Sequence, residues 1–134
     1  RTRHAARYDA AFDNSAIGAV LTTPIEAQGC PSVWNQYTVR VAEGRRDSLQ
    51  HWLTERKIGS AIYYPVPLHL QKCFANLGYR RGDLPNTERA ADEVLSLPGR
   101  CRGQPGAAAC WPWLVSGCTT YNTEIRNLRR PEPS

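Results

Sequence analysis

The chain has 134 residues, 41% of them apolar, and a formal net charge of +5, which suits one domain, or one domain and a tail. No apolar run approaches the ~20 residues needed to cross a bilayer, and Arg1-Thr2-Arg3-His4 lacks the apolar segment of a secretory signal; we expect a soluble, cytoplasmic chain with no membrane partner. Most of the positive excess lies beyond Pro98, as Arg100, Arg102, Arg126, Arg129 and Arg130 against Glu124 and Glu132, and the body has no basic stripe interleaved with aromatics, so no nucleic acid partner is expected.

Two residue counts add constraints. There is no methionine, so we expect a piece of a longer protein rather than a complete primary product. The five cysteines, Cys30, Cys73, Cys101, Cys110 and Cys118, are odd in number, and no pair has C-x-x-C spacing with a matching histidine pair. That pattern predicts reduced thiols, with neither a closed disulfide framework nor a metal site.

In chain order, Arg3 to Phe12 places Ala5, Tyr8, Ala11 and Phe12 close to one helical face, and Asp13-Asn14-Ser15 breaks the helix. Ala16 to Pro31 reads as a connection with one short strand near Ile17 to Leu21. Val33 to Val41 alternates with period two, with Val33, Asn35, Tyr37, Val39 and Val41 on one face. Asn35 is therefore predicted to sit among apolar neighbours, as a satisfied buried amide or as a ligand contact.

Gly44 to Ile58 follows as an amphipathic helix with Leu49, Trp52, Leu53 and Arg56 on one face. Gly59 suits the left-handed residue that closes it. Ser60 to Tyr64 is a second strand, halted by Pro65 and Pro67, which lack the amide hydrogen a sheet ladder needs. Strand, helix and strand form one unit, either a right-handed parallel crossover or an antiparallel arrangement. The loop carries Tyr63, Tyr64, His69 and Gln71, hydrogen-bonding side chains where scaffolds present ligand sites; core tyrosines with a surface histidine fit the same pattern. Leu68 to Leu77 reads as a short helix with Phe74 and Leu77 inward, ended by Gly78. Arg80-Arg81-Gly82-Asp83 is a turn, and Asn86 caps a helix of about Thr87 to Leu95 with Ala90, Ala91, Val94 and Leu95 as its stripe. Gly99 to Ser134 has no sustained period and is expected to be poorly ordered or loosely docked.

These residues carry a resemblance. Ala6-Arg7-Tyr8-Asp9, Trp34-Asn35-Gln36-Tyr37-Thr38, Arg46-Asp47-Ser48-Leu49-Gln50 with Ile58-Gly59, and the run from Ile62 to Gln71 (IYYPVPLHLQ) resemble the C-terminal part of the DegT/DnrJ/StrS family of sugar-nucleotide aminotransferases. Leu77-Gly78-Tyr79, Gly82-Asp83-Leu84-Pro85 and Glu93-Val94-Leu95-Ser96-Leu97-Pro98 continue it, so that it covers residues 1–98 in unbroken order.

The resemblance implies an α+β fold, the small domain of the aspartate-aminotransferase (pyridoxal-phosphate fold type I) superfamily, packed on a larger cofactor domain in a homodimer. Residues 1–12 would end an interdomain helix, 13–98 would form the small domain, and 99–134 would be an atypical tail, from a shifted reading frame or a misjoined end. The implied reaction moves an amino group, with glutamate as donor, to a keto sugar nucleotide for cell-surface polysaccharide or amino-sugar biosynthesis. Tyr63, Tyr64 and His69 are the implied substrate contacts, with Asn35 beside them; a histidine commonly stands in the family where this chain has Tyr63. The cofactor is pyridoxal 5'-phosphate. Its Schiff-base lysine and phosphate-binding residues are expected in sequence before Arg1, since Lys57 and Lys72 lack the motif. No catalytic residue is assigned here, and the chain alone is expected to be inactive; the alternative is a non-catalytic binding or interaction module, or an inactive remnant.

Overall fold

The computed structural model describes residues 1–13 and 20–99. Helix α1, Thr2–Asp13, buries Ala5, Tyr8 and Phe12, three of the four residues its spacing places on one face, with Ala11 half-buried. Strand β1, Leu21–Thr22, pairs antiparallel with β2, Tyr37–Val41. Helix α2, Arg46–Glu55, buries Leu49, Trp52 and Leu53, and Asp47 in its first turn favours the positive end of the helix dipole. Helix α3, Pro85–Glu93, leads straight into β3, Val94–Leu97, which pairs antiparallel with β2. The sheet order is β1-β2-β3.

The register explains the core. Tyr37 lies opposite Leu97, Val39 opposite Leu95, and Val41 opposite Leu21, so one sheet face offers six apolar side chains, all buried, to α1 and α2. Each such side chain contributes about 1.5–3 kcal/mol through removal from water. The other face is polar: the Thr38 and Ser96 hydroxyls share a 2.8 Å hydrogen bond, and Arg40 donates to Glu93 at 2.6 Å. Tyr8 donates from its hydroxyl to the Pro98 carbonyl at 3.2 Å, tying α1 to the end of β3.

Several expectations are corrected by this arrangement. The Val33–Val41 strand is formed only from Tyr37 onward. Trp34 has a φ of +48°, which breaks the alternation, buries its indole against Tyr37 at 5.6 Å and leaves Val33 72% exposed. Asn35 is exposed as well, and its Oδ1 accepts a hydrogen bond from Arg1. The left-handed residue closing α2 is Lys57 (φ +58°) rather than Gly59. Ser60–Tyr64 contributes a single antiparallel bridge, Ala61 to Ser96, and the strand beside β2 comes from Val94–Leu97, of which Val94 and Leu95 were expected to end a helix. No parallel crossover forms among the described residues.

The remaining differences concern the loop and α3. Leu68–Leu70 and Lys72–Leu77 are two short 3-10 helices, with Phe74 and Leu77 exposed and His69 buried. Gly78 does end this segment, at a φ of +76°. Helix α3 starts with Pro85 at its first turn and Leu84 at the cap, without a side-chain cap bond, so Asn86 does not cap it. The expectations for Asn14 to Ala19 and for residues 100–134, including Cys101, Cys110 and Cys118, fall outside the described residues. No helix among those described is long and apolar enough to cross a membrane.

Candidate functional site

Ala61 exchanges backbone hydrogen bonds with Ser96, at 3.0 and 2.8 Å, and this bridge anchors the loop that follows against β3. From it the chain projects Tyr63, 49% exposed, and Tyr64, 75% exposed. Tyr64 has a φ of +62°, a left-handed conformation that costs a residue with a Cβ roughly 1–3 kcal/mol. The loop then closes on itself: the Leu70 N–H donates to the Pro67 carbonyl at 2.9 Å, and the Gln71 amide donates to the Val66 carbonyl at 3.2 Å.

Two cavities meet at Tyr63. The first, of about 290 Å³, is lined by Asn35, Gln36, Ser60 and Tyr63 with the backbone around Pro98. It is the polar one, and the Ser60 Oγ beside it has no hydrogen-bond partner among the described residues. The second, of about 480 Å³, lies between the loop (Tyr63, Tyr64, Pro67, Leu68) and α3 (Thr87, Ala90, Ala91). Its walls are largely apolar and aromatic, suited to a ring face rather than to a charged group.

The structure thus brings Asn35, Tyr63 and Tyr64 to the cavities and turns His69 away from them. Neither cavity is lined by His69. Its imidazole Nε2 lies 3.0 Å from the Glu88 carboxylate, with the two side chains only 4% and 10% exposed. Core tyrosines with a surface histidine, the other arrangement the loop pattern allowed, are the reverse of what forms. Ser60, Gln36 and Glu88 were not singled out from sequence. Of these only Glu88 gave a signal, as an acidic residue in the first turn of a helix.

Glu88 is the electrostatic centre of this region. The Gly82 N–H donates to its Oε1 at 2.7 Å, and Arg81 lies 4.0 Å from the other oxygen. The Gly82 amide, and after it the His69 imidazole, hold the carboxyl below its ordinary pKa in spite of desolvation. A carboxylate only accepts hydrogen bonds, so Nε2 of His69 must carry the hydrogen. Because the folded-state pKa is lowered, the stabilisation is present above the ordinary glutamate value of about 4.3 and disappears as pH falls through the lowered folded value. We expect the melting temperature of the chain to decline on acidification below about pH 5, and that of Glu88→Gln to decline less steeply. Parallel acid limbs in thermal melts of the two proteins would show that Glu88 does not carry this dependence.

A second short contact lies in the core. The Tyr37 hydroxyl donates to Asp9 at 2.5 Å, and burial, followed by that hydrogen bond, pushes the phenol pKa well above its ordinary value. Tyr37 lines neither cavity, so its role here is structural.

Known proteins are similar to this chain in sequence and fold. The model of the DegT/DnrJ/EryC1/StrS aminotransferase family matches residues 1–105. The pleiotropic regulatory protein of Geobacillus stearothermophilus is 48% identical over 98 residues, 73% of this chain and 26% of that protein. The dTDP-3-amino-3,4,6-trideoxy-alpha-D-glucose transaminase of Streptomyces venezuelae is 41% identical over 75 residues, 56% of this chain and 19% of that one. The crystal structure of S. venezuelae DesV in complex with a ketimine intermediate superposes with a TM-score of 0.73 at 30% identity, covering 88% of this chain and 31% of that one. The chain therefore spans from 19% to 31% of the length of these proteins. With its antiparallel three-stranded sheet packed by helices, the chain belongs to the DegT/DnrJ/EryC1/StrS aminotransferase family.

Proposed function

We propose that this chain forms the substrate-side wall of a pyridoxal-phosphate-dependent aminotransferase that passes an amino group, with glutamate as donor, to a keto sugar nucleotide. The observation that carries the reading is the pair of cavities joined at Tyr63, one polar and one apolar. A sugar nucleotide has the same two halves, a hydroxyl-rich sugar and a flat base. Tyr63 and Asn35 would hydrogen-bond the sugar side, and Tyr64 would offer its ring to the second cavity. Its strained backbone supports a functional reason for that placement, since strain of this kind gathers at binding sites. His69 enters this proposal through the loop it holds rather than through direct contact.

Pyridoxal phosphate, when bound, supplies an electron sink for the amino transfer. The described residues do not fit the group by themselves: neither cavity is lined by a lysine, an arginine or a carboxylate, and Lys57 and Lys72 are both exposed. Holding the cofactor is assigned in this proposal to the remainder of a full-length, homodimeric, cytoplasmic enzyme of amino-sugar or cell-surface polysaccharide biosynthesis. Mixing this chain with pyridoxal phosphate and borohydride should accordingly trap no stoichiometric adduct at a single lysine, as read by peptide mass spectrometry. One dominant labelled lysine would overturn that assignment.

The absence of a lysine from both cavities favours a second reading, a non-catalytic binding or interaction module. A full-length enzyme carrying these residues separates the two. In it, Tyr63→Ala should raise the KM for the keto sugar nucleotide about tenfold, the loss of one good polar contact, and leave the KM for glutamate unchanged. An unaltered KM for the sugar nucleotide would remove Tyr63 from the site, and a protein without transaminase activity would leave the binding module.

A further inference from the structure

The second cavity has two walls from distant parts of the chain. One is the loop, through Tyr64, Pro67 and Leu68, and the other is α3, through Thr87, Ala90 and Ala91. Immediately beside these residues, His69 follows Leu68 and Glu88 follows Thr87, and their side chains meet at 3.0 Å. Among the described residues, this is the side-chain hydrogen bond that spans the two walls. It is also the best-shielded contact between a basic side chain and a carboxylate among the described residues, at 4% and 10% side-chain exposure, whereas every other such pair has at least one partner about half exposed or more.

We propose that Glu88 and His69 are positioning residues whose hydrogen bond clasps the proline-rich loop to α3 and sets the width of the cavity between Tyr64 and Ala91. The inference rests on the sugar-nucleotide reading above for what enters that cavity, not for the clasp itself.

The chemistry suits a clasp. Glu88 accepts both the Gly82 N–H at 2.7 Å and the His69 Nε2–H at the same oxygen, so the turn, the helix and the loop converge on one carboxylate. The imidazole Nδ1 has no partner among the described residues, which leaves the Glu88 bond to orient the ring, with the Tyr79 ring perpendicular to it at 6.1 Å between centroids. Beyond the Ala61–Ser96 bridge and its own internal hydrogen bonds, the loop has little to hold it: Tyr63, Tyr64, Pro65, Val66 and Leu68 are all exposed, and Tyr64 sits in a conformation that would relax if released. Removing the clasp should let the loop move while the sheet stays intact.

Hydrogen–deuterium exchange on the 134-residue chain reads this directly. His69→Ala should speed exchange at the Leu70 and Gln71 amides about tenfold, the population change expected on losing one hydrogen bond to a charged group. Exchange at Val39 and Val41 in β2 should not change. His69→Gln, whose amide can donate from nearly the position of Nε2, should restore most of the protection, which a general packing defect would not allow. In an NMR titration with dTDP-glucose as probe, His69→Ala should weaken binding by a similar factor. Unchanged loop exchange in His69→Ala, equal loosening of β2, no rescue by His69→Gln, or loop release without weaker probe binding would each overturn the clasp. If the unaltered chain shows no dTDP-glucose shifts at all, the sugar-nucleotide reading fails instead, and the exchange and rescue results alone decide the clasp.

Discussion

Replacing Tyr37 by alanine should lower the unfolding free energy by about 3–5 kcal/mol, the range for deleting a buried aromatic ring, and so remove much of the 5–15 kcal/mol typical of a folded domain. The Tyr37 ring is stacked on Tyr8 at 4.6 Å and tilted against Trp34 at 5.6 Å. It joins α1, the segment before β2, and the sheet opposite Leu97, so its removal opens a hole that no single neighbour can fill. Tyr37→Phe keeps the ring and loses only the donor to Asp9, at about 1.5–3 kcal/mol for a hydrogen bond to a charged acceptor. Urea melts of the three proteins test the order. A Tyr37→Ala midpoint equal to that of Tyr37→Phe would mean that the ring is not the structural joint. The pH dependence has a definite sign as well. Since the folded-state pKa is raised, the stabilisation is complete below the ordinary tyrosine value of about 10 and is lost as pH rises beyond it, where the unfolded chain ionises first. Tyr37→Phe should lack that alkaline decline.

The sequence shows the core more clearly than the site because burial imposes a period and binding does not. Ala5, Tyr8 and Phe12 at helical spacing, Leu49, Trp52 and Leu53 likewise, and Tyr37, Val39 and Val41 in alternation are all buried as their spacing requires. The failures have local causes. Trp34 enters the left-handed region and breaks the alternation while its indole is buried against Tyr37, and this is how Asn35 passes from a predicted interior to the surface. Val94 and Leu95 extend the apolar spacing of α3, and a short apolar run has no periodicity that tells a helix end from a strand start. Only the pairing of Val39 with Leu95 decides it.

The site followed a different logic. The prolines announced the Tyr63–Leu70 loop, and the aromatic side chains there were legible as exposed hydrogen-bonding groups. The inward turn of His69 was not, because its partner lies nineteen residues on in the chain and no local pattern links the two. Family resemblance named the loop; the fold divides it into Tyr63 and Tyr64, which line the cavities, and His69, which is buried against Glu88. Both groups depend on the bridge between Ala61 and Ser96, so the same β3 that completes the core also fixes where the loop begins.

The end of α2 should give two opposite results from residues four apart. Leu53 is fully buried, and Leu53→Ala should cost about 2–5 kcal/mol, depending on how far the core collapses into the space. Its carbonyl also accepts the Ile58 N–H at 2.9 Å while the Thr54 carbonyl accepts the Lys57 N–H at 2.9 Å, the reciprocal pair of bonds that closes a helix around a left-handed residue. That residue is Lys57, with a φ of +58° and an exposed side chain. Lys57→Gly removes the Cβ that disfavours this conformation and should stabilise the chain, by about 0.5–1 kcal/mol after the greater freedom of glycine in the unfolded chain is set against it. Lys57→Val, with a β-branched side chain at the same angle, should destabilise it. The three variants share one helix end and differ in a single physical term each, so thermal melts under one set of conditions compare them directly. If Lys57→Gly were less stable than the original chain, the left-handed closure of α2 would be wrong. Gly59 would then recover the role that its place in the sequence first suggested.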